Sequence, residues 1–136
     1  MSLIEYKGFG GVPLSADVLG DDNDPAVLLI PDIGQPRSAW RAVAEGLVLS
    51  GRRVVNLDLR APGGIDQLAA HVEDLRLVLA QMGSRPVVVA ARHGGWIATR
   101  ALATDGILLA GGLVLVDMPD DADAVASGIA ARQALP

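Results

Sequence analysis

Short apolar runs alternate along this chain with longer stretches of helical spacing. Four runs predict strands, and the first and third are continuously apolar, as is typical of strands buried on both faces of a sheet: 26–30, 53–58, 86–90 and 112–117. Two further short strands, 4–7 and 13–19, flank a turn containing three glycines and predict an antiparallel hairpin. The pattern therefore predicts about six strands.

In the segments between the later strands, apolar residues recur at the spacing of a helix. Ser38 as an N-cap and Gly51 as a stop delimit a helix over 39–50. A second helix is predicted over 65–82 and a third over 94–104. On the second, apolar residues recur at Leu68, Val72, Leu75, Val78 and Leu79. His71, next to Val72, is predicted to lie on the surface.

Strands and helices in repeated order predict right-handed βαβ units. The fold class that follows is α/β: three layers, α/β/α, around a mostly parallel doubly wound sheet with an N-terminal antiparallel hairpin. Residues 1–118 form the predicted core. Residues 119–136 form a tail with one helix over 121–134, whose start carries Asp120, Asp121 and Asp123, as suits a helix N-terminus.

Composition excludes several classes of function. The chain has 136 residues, 11 Lys and Arg against 16 Asp and Glu, and no cysteine. An acidic chain with no basic cluster does not suit nucleic acid or an anionic membrane as a partner. Without cysteine there is no thiolate nucleophile, disulfide or cysteine-bound zinc. No apolar run approaches a membrane span and none resembles a signal peptide, so a cytoplasmic location is predicted.

Candidate chemistry lies where the parallel strands end, because ligands of open α/β sheets bind beyond those carboxyl ends. The polar residues there are Asp32, Asp58, Arg92, His93 and Asp117. Three aspartates could suggest a magnesium site. However, a metal ion would have to tolerate Arg92 nearby, so no metal and no other cofactor is predicted.

Four segments in order resemble the N-terminal half of an α/β-hydrolase, through its sixth strand. They are 27–35 followed by Trp40, then 54–60, 87–98 and 112–117. Segment 87–98 is similar to the family's nucleophile elbow, in which a tight strand-to-helix turn exposes the nucleophile before two glycines. The resemblance implies a truncated α/β-hydrolase fold in which Asp58 is structural.

The resemblance also implies that hydrolase catalysis is lost. Arg92 occupies the nucleophile position, and a guanidinium stays protonated at neutral pH. The family's oxyanion loop, His-Gly, reads Pro31-Asp32 here, and a carboxylate there would repel a developing oxyanion. The general-base histidine that follows later strands in the family has no counterpart in this sequence.

Two interpretations of Arg92 follow. In hydrolase strand order, the strand before Arg92 lies between those ending at Asp32 and Asp117. The favoured interpretation is an internal ion pair of Arg92 with Asp32 or Asp117. The alternative is a pocket formed with His93 for a small anionic ligand such as a carboxylate or phosphate. His93 itself is predicted to be structural.

The sixth strand is predicted to be an apolar sheet edge, formed by Leu113, Val114, Leu115 and Val116. Such an edge invites pairing with another chain. A homodimer through this edge is therefore favoured over the alternative, a tail helix that folds back onto the edge.

Three functional hypotheses remain. They are a non-catalytic binding or association domain, an enzyme with an altered mechanism on an anionic substrate, and a subunit completed by another chain.

Overall fold

A six-stranded sheet forms the centre of the structure. The computed structural model describes residues 2–61, 67–104 and 106–118. The strands are β1 (Ser2–Lys7), β2 (Pro13–Leu19), β3 (Ala26–Ile30), β4 (Arg53–Leu57), β5 (Val87–Ala91) and β6 (Gly112–Val116). Their order across the sheet is β1-β2-β4-β3-β5-β6. The predicted tail, 119–136, and its helix lie outside the described residues.

The strand directions agree with the predicted antiparallel hairpin and the predicted parallel strands. β1 pairs with β2 in an antiparallel hairpin, and β2 runs antiparallel to β4. The pairs β3–β4, β3–β5 and β5–β6 are parallel. All carboxyl ends of the last four strands therefore meet at one edge of the sheet, which confirms the predicted mostly parallel sheet.

Helices cover both faces of the sheet. They are α1 (Arg41–Leu49), preceded by a 3₁₀ turn over Arg37–Trp40, then α2 (Gln67–Met82), α3 (His93–Ala101) and the short α4 (Gly106–Leu109). Residues of α1 pack with Val27, Leu29 and Val54 on one face. The larger core on the other face joins α2 and α3 to alternate residues of the same strands, such as Leu28 and Val55. The three-layer prediction is confirmed.

The predicted cap of the first helix was wrong. Ser38 lies inside the 3₁₀ turn, and α1 begins after Trp40 with no side-chain cap. Tertiary contacts hold this turn instead. The backbone carbonyl of Arg37 accepts a hydrogen bond from Asn56 Nδ2 (2.8 Å), and its guanidinium contacts Asp58 and Asp17. Strand β4 and its end therefore anchor the start of the helix.

The prediction that His71 lies on the surface was also wrong. Its side chain is 1% exposed, and its two ring nitrogens have no hydrogen-bond partner. Leu68, His71, Leu75 and Val78 follow the spacing of one helix face, so His71 belongs to the buried stripe of α2. Burial lowers the pKa of His71; Asp74 partly opposes this shift and Arg60 adds to it.

Because the pKa of His71 is lowered in the folded chain, we expect the protein to lose stability in mild acid. The unfolded chain binds a proton at His71 near pH 6.5, whereas the folded chain does so only at lower pH. The free energy of unfolding is therefore highest above about pH 6.5 and falls as pH decreases through the folded-state pKa. Urea denaturation from pH 7.5 to 5 measures this slope.

His71→Leu is expected to flatten that slope, because leucine has no proton to bind. Val78→Leu is the matched control, because it changes packing on the same buried face of α2 without changing a titratable group. It should keep the wild-type slope. An equal slope in wild type and His71→Leu would show that the acid sensitivity comes from other groups.

Candidate functional site

A tight turn joins β5 to α3 at Arg92. Its backbone has φ 49° and ψ −122°, in a left-handed region that L-residues rarely adopt, so the turn is strained. The turn is held from both sides. Arg92 N donates to the carbonyl of Val116 (3.0 Å), and Gly95 N donates to the carbonyl of Arg92 (2.9 Å). This is the geometry of a nucleophile elbow, with a guanidinium in place of the nucleophile.

The two glycines after the turn allow α3 to pack close to the strands. A Cβ at Gly94 would overlap the backbone oxygen of Pro31. A Cβ at Gly95 would overlap the Met118 sulfur and approach Leu115 (3.1 Å). Gly94 therefore needs glycine, because a backbone oxygen cannot move aside, whereas the atoms that a Cβ at Gly95 would meet lie at the ends of side chains and can shift.

Asp32 lies in the loop after β3 and contacts the elbow at Arg92 and His93. Its Oδ1 accepts hydrogen bonds from two backbone groups, Ile33 N (2.8 Å) and His93 N (3.1 Å). The same oxygen lies 3.1 Å from His93 Nδ1. A carboxylate at the first turn of α3 also suits the positive end of the helix dipole. One carboxylate oxygen thus occupies a small cluster of hydrogen-bond donors.

The Arg92 guanidinium lies between two carboxylates. Its Nε is 3.4 Å from Asp32 Oδ2, and its Nη1 is 3.4 Å from Asp117 Oδ2. The Arg92 side chain is 38% exposed and that of Asp117 is 74% exposed, so water screens both ion pairs. The structure therefore brings together all four residues singled out from the sequence: Asp32, Arg92, His93 and Asp117.

A cavity of about 240 Å³ opens beside Arg92. Trp40, Gln35 and Val116 line its walls, and Asp32, Arg92 and Asp117 carry its charges. Two carboxylates against one guanidinium leave this cavity without an excess of positive charge. The charge balance therefore favours the internal ion pair over a pocket for an anion.

Asp58, which follows β4, binds Arg37 in the segment before α1. Asp58 accepts a hydrogen bond from Arg37 N (2.6 Å) and contacts the Arg37 guanidinium, which also pairs with Asp17 (3.0 Å). These carboxylates raise the pKa of Arg37, and the hydrogen bond that Arg37 donates to Asp17 has the largest effect. Within 2–61, 67–104 and 106–118, no group of three His, Asp or Glu side chains is arranged to hold a metal ion.

Sequence reasoning missed the backbone donors around Asp32. It treated the carboxylate as a group that would repel an oxyanion, whereas Oδ1 is itself held by Ile33 N and His93 N. A usable signal was present in the sequence, since an aspartate often accepts hydrogen bonds from nearby backbone N–H groups in loops. It also missed the edge-on contact of His93 with Trp96, whose ring centroids lie 4.9 Å apart.

Comparison with known proteins gives a structural relationship only. No family model and no curated protein sequence matches the chain. The structure superposes on the esterase RhEst1 from Rhodococcus sp. ECU1013 with a TM-score of 0.76 and 26% identity, over 87% of this chain and 46% of the esterase. In the part of the chain that the structure describes, no helix is long and apolar enough to cross a bilayer.

Two further solved structures give the same result. Epoxide hydrolase VrEH1 from Vigna radiata has a TM-score of 0.76 and 19% identity, over 93% of this chain and 46% of that enzyme. The esterase EaEST from Exiguobacterium antarcticum has a TM-score of 0.75 and 18% identity, over 86% and 46%. The chain spans less than half the length of these enzymes. With six strands in this order and an elbow after β5, the chain has the fold of the N-terminal half of an α/β-hydrolase.

Proposed function

We propose that this chain is an α/β-hydrolase-like domain without hydrolase catalysis, and that it acts in binding or association. The observation that carries the proposal is the position of the Asp32 carboxylate. In α/β-hydrolases the oxyanion hole consists of the N–H after the nucleophile and an N–H from the loop after the third strand. The corresponding donors here, His93 N and Ile33 N, both bind Asp32 Oδ1.

A carboxylate in that place competes with a substrate oxyanion for the same donors. Stabilisation of the developing oxyanion is usually the largest single contribution to acyl transfer, and removing one donor costs about 10²- to 10³-fold in rate. Arg92 adds the loss of the nucleophile, since its guanidinium stays protonated and pairs with Asp32 and Asp117. The two features support loss of catalysis independently of each other.

Esterase assays test the proposal directly. We expect the protein to hydrolyse p-nitrophenyl acetate and butyrate no faster than buffer, and to form no adduct with a serine-directed fluorophosphonate by intact mass. Arg92→Ser, which places a hydroxyl at the elbow, is expected to stay inactive because Asp32 still fills the donor cluster. An active esterase of the same fold serves as the positive control.

Other results would contradict the proposal. Turnover proportional to protein concentration, or a stoichiometric phosphonate adduct on the wild type, would show that another group acts as nucleophile. Turnover restricted to esters that carry a carboxylate or phosphate would favour the alternative, an enzyme of altered mechanism that uses Arg92, His93 and Asp32. The cytoplasmic location stays a prediction from composition.

A further inference from the structure

The fully buried side chains in the first half of helix α2 are polar. Among residues 67–74 they are those of His71 and Asp74, whereas the buried apolar residues of this helix come later, at Leu75, Val78 and Leu79. The apolar residues of the first half are partly buried or exposed. Segments with few buried apolar contacts open locally at a lower free energy than the whole chain. The first half of α2 is therefore suited to local opening.

Asp74 joins this half of the helix to two other segments. Its Oδ1 accepts hydrogen bonds from Phe9 N, in the turn of the N-terminal hairpin, and from Arg60 Nη2, both at 2.7 Å. Its Oδ2 lies 2.6 Å from Arg60 Nε, and Arg60 Nη2 also donates to the carbonyl of Phe9 (2.8 Å). A movement of Asp74 away from these groups therefore releases the hairpin turn and Arg60 together.

His71 lies one turn before Asp74 on the same face of α2, since residues three apart on a helix are neighbours. Its side chain is 1% exposed, and neither ring nitrogen has a hydrogen-bond partner among the described residues. An imidazolium has two N–H donors and a charge, both of which need water or a carboxylate. Protonation of His71 therefore requires either a new contact with Asp74 or exposure to water.

The charges around His71 favour exposure to water. Asp74 and Arg60 are the charged groups that act on it. Of the elements packed against α2, β1 contributes the buried Tyr6, α3 contributes apolar residues such as Ile97, and the hairpin turn and α4 have no titratable side chain among their described residues. Burial has the largest effect on the pKa of His71 and lowers it, Asp74 opposes this with a smaller effect, and Arg60 lowers the pKa further. The imidazolium is thus better stabilised by water than by Asp74 in the closed structure.

We propose that protonation of His71 drives a local opening, in which the first half of α2 separates from the hairpin turn and from Arg60 while the sheet stays folded. The opening places the imidazolium in water and breaks the contacts of Asp74 with Arg60 and Phe9. The fold thereby contains a pH-sensitive contact, which is independent of the proposed loss of catalysis.

Arg60 connects this opening to the carboxyl edge of the sheet. It lines a cavity of about 290 Å³ together with Asp58 and Gln35, and Gln35 also lines the cavity beside Arg92. After the opening, Asp74 no longer balances the positive charge that Arg60 brings to its cavity. Mild acid therefore changes the charge of the sheet edge that carries the candidate site.

Amide hydrogen exchange followed by two-dimensional NMR tests the proposal, with Phe9 N–H as the reporter because it donates to Asp74. In water His71 binds a proton near pH 6.5, so a pH one unit lower multiplies the open population by about ten. We expect the protection factor of Phe9 N–H to fall about tenfold from pH 7.5 to 5.5. Gly51 N, which donates to the carbonyl of Val48 (3.0 Å) after α1 on the other face of the sheet, should keep its protection factor.

Variants and a urea series complete the test. His71→Leu and His71→Gln, which remove the titrating group, should abolish the pH dependence at Phe9 N–H. Val78→Leu changes packing in the second half of α2 and should keep it. Urea below the unfolding transition should leave exchange at Phe9 nearly unchanged and accelerate exchange in β3, which opens only with the whole chain. Circular dichroism confirms that each variant is folded.

Three results would overturn the inference. The first is an equal protection factor of Phe9 N–H at pH 7.5 and 5.5. The second is a fall of the same size in wild type, His71→Leu and His71→Gln, which assigns the response to another group. The third is a urea dependence at Phe9 as steep as that of β3, which leaves unfolding of the whole chain as the opening that exposes His71.

Discussion

Gly94→Ala is expected to lower the free energy of unfolding by about 3 kcal/mol, at the upper end of the usual cost of overpacking. Gly94 lies in the first turn of α3, where the helix passes over the end of β3. The added Cβ would overlap the Pro31 carbonyl oxygen and lie 3.1 Å from Ile30 Cγ2. A backbone oxygen cannot move away by changing a rotamer, so α3 itself must shift. Urea denaturation followed by circular dichroism measures the change.

Gly46→Ala is the control for this substitution. Gly46 lies inside α1, and a Cβ there meets nothing within 4 Å. Alanine favours a helix interior over glycine by about 1 kcal/mol, so this variant should be more stable than the wild type. If the two variants changed stability in the same direction, the close contact of Gly94 with Pro31 would not explain the effect.

Asp74→Ala should also destabilise the protein by about 3 kcal/mol, because it leaves a charged partner of a buried ion pair unmatched. The Asp74 side chain is 3% exposed. Its Oδ2 lies 2.6 Å from Arg60 Nε, and its Oδ1 accepts hydrogen bonds from Arg60 Nη2 and Phe9 N, both at 2.7 Å. Asp74 therefore connects α2 to the loop after β4 and to the turn of the N-terminal hairpin.

Two further variants separate the buried contact from charge alone. Asp22→Ala removes a carboxylate that is 92% exposed and 3.6 Å from Arg53 Nε, and should change stability by less than about 0.5 kcal/mol. The double variant Asp74→Leu with Arg60→Met should be more stable than Asp74→Ala, because no buried charge is left unmatched. A double variant as unstable as Asp74→Ala would show that packing, rather than charge, explains the loss.

Most of the sheet could be predicted from the sequence, because short runs rich in apolar residues mark the parallel strands. The bounds of β2 and β3 match the predicted 13–19 and 26–30, and those of β4, β5 and β6 differ by one residue at one or both ends. The helix starts were less predictable. Ser38 has the chemistry of a cap, but the contacts of Arg37 with Asn56 and Asp58 determine where the turn forms. The short helix Gly106–Leu109 was missed.

The part of the candidate site that could be predicted is the part that follows from the order of the strands. Asp32, Arg92 and Asp117 follow three adjacent strands, so their proximity follows from the topology. That Asp32 Oδ1 also binds Ile33 N and His93 N depends on the loop conformation and on the side-chain rotamer, which periodicity does not encode. His71 shows a related limit, because one polar residue on an apolar stripe fits either burial or exposure.

The position of β5 beside β3 has a consequence for how the chain folds. Val27 pairs with Val87, far along the chain, whereas β4 on the other side of β3 is separated from it mainly by α1. The β3–β4 unit can form first, and until β5 is added it leaves one edge of the apolar strand Ala26–Ile30 open. Pairings this distant slow folding, and open apolar edges favour aggregation during it. Refolding yield should therefore fall as protein concentration rises, even for a native state that is stable once formed.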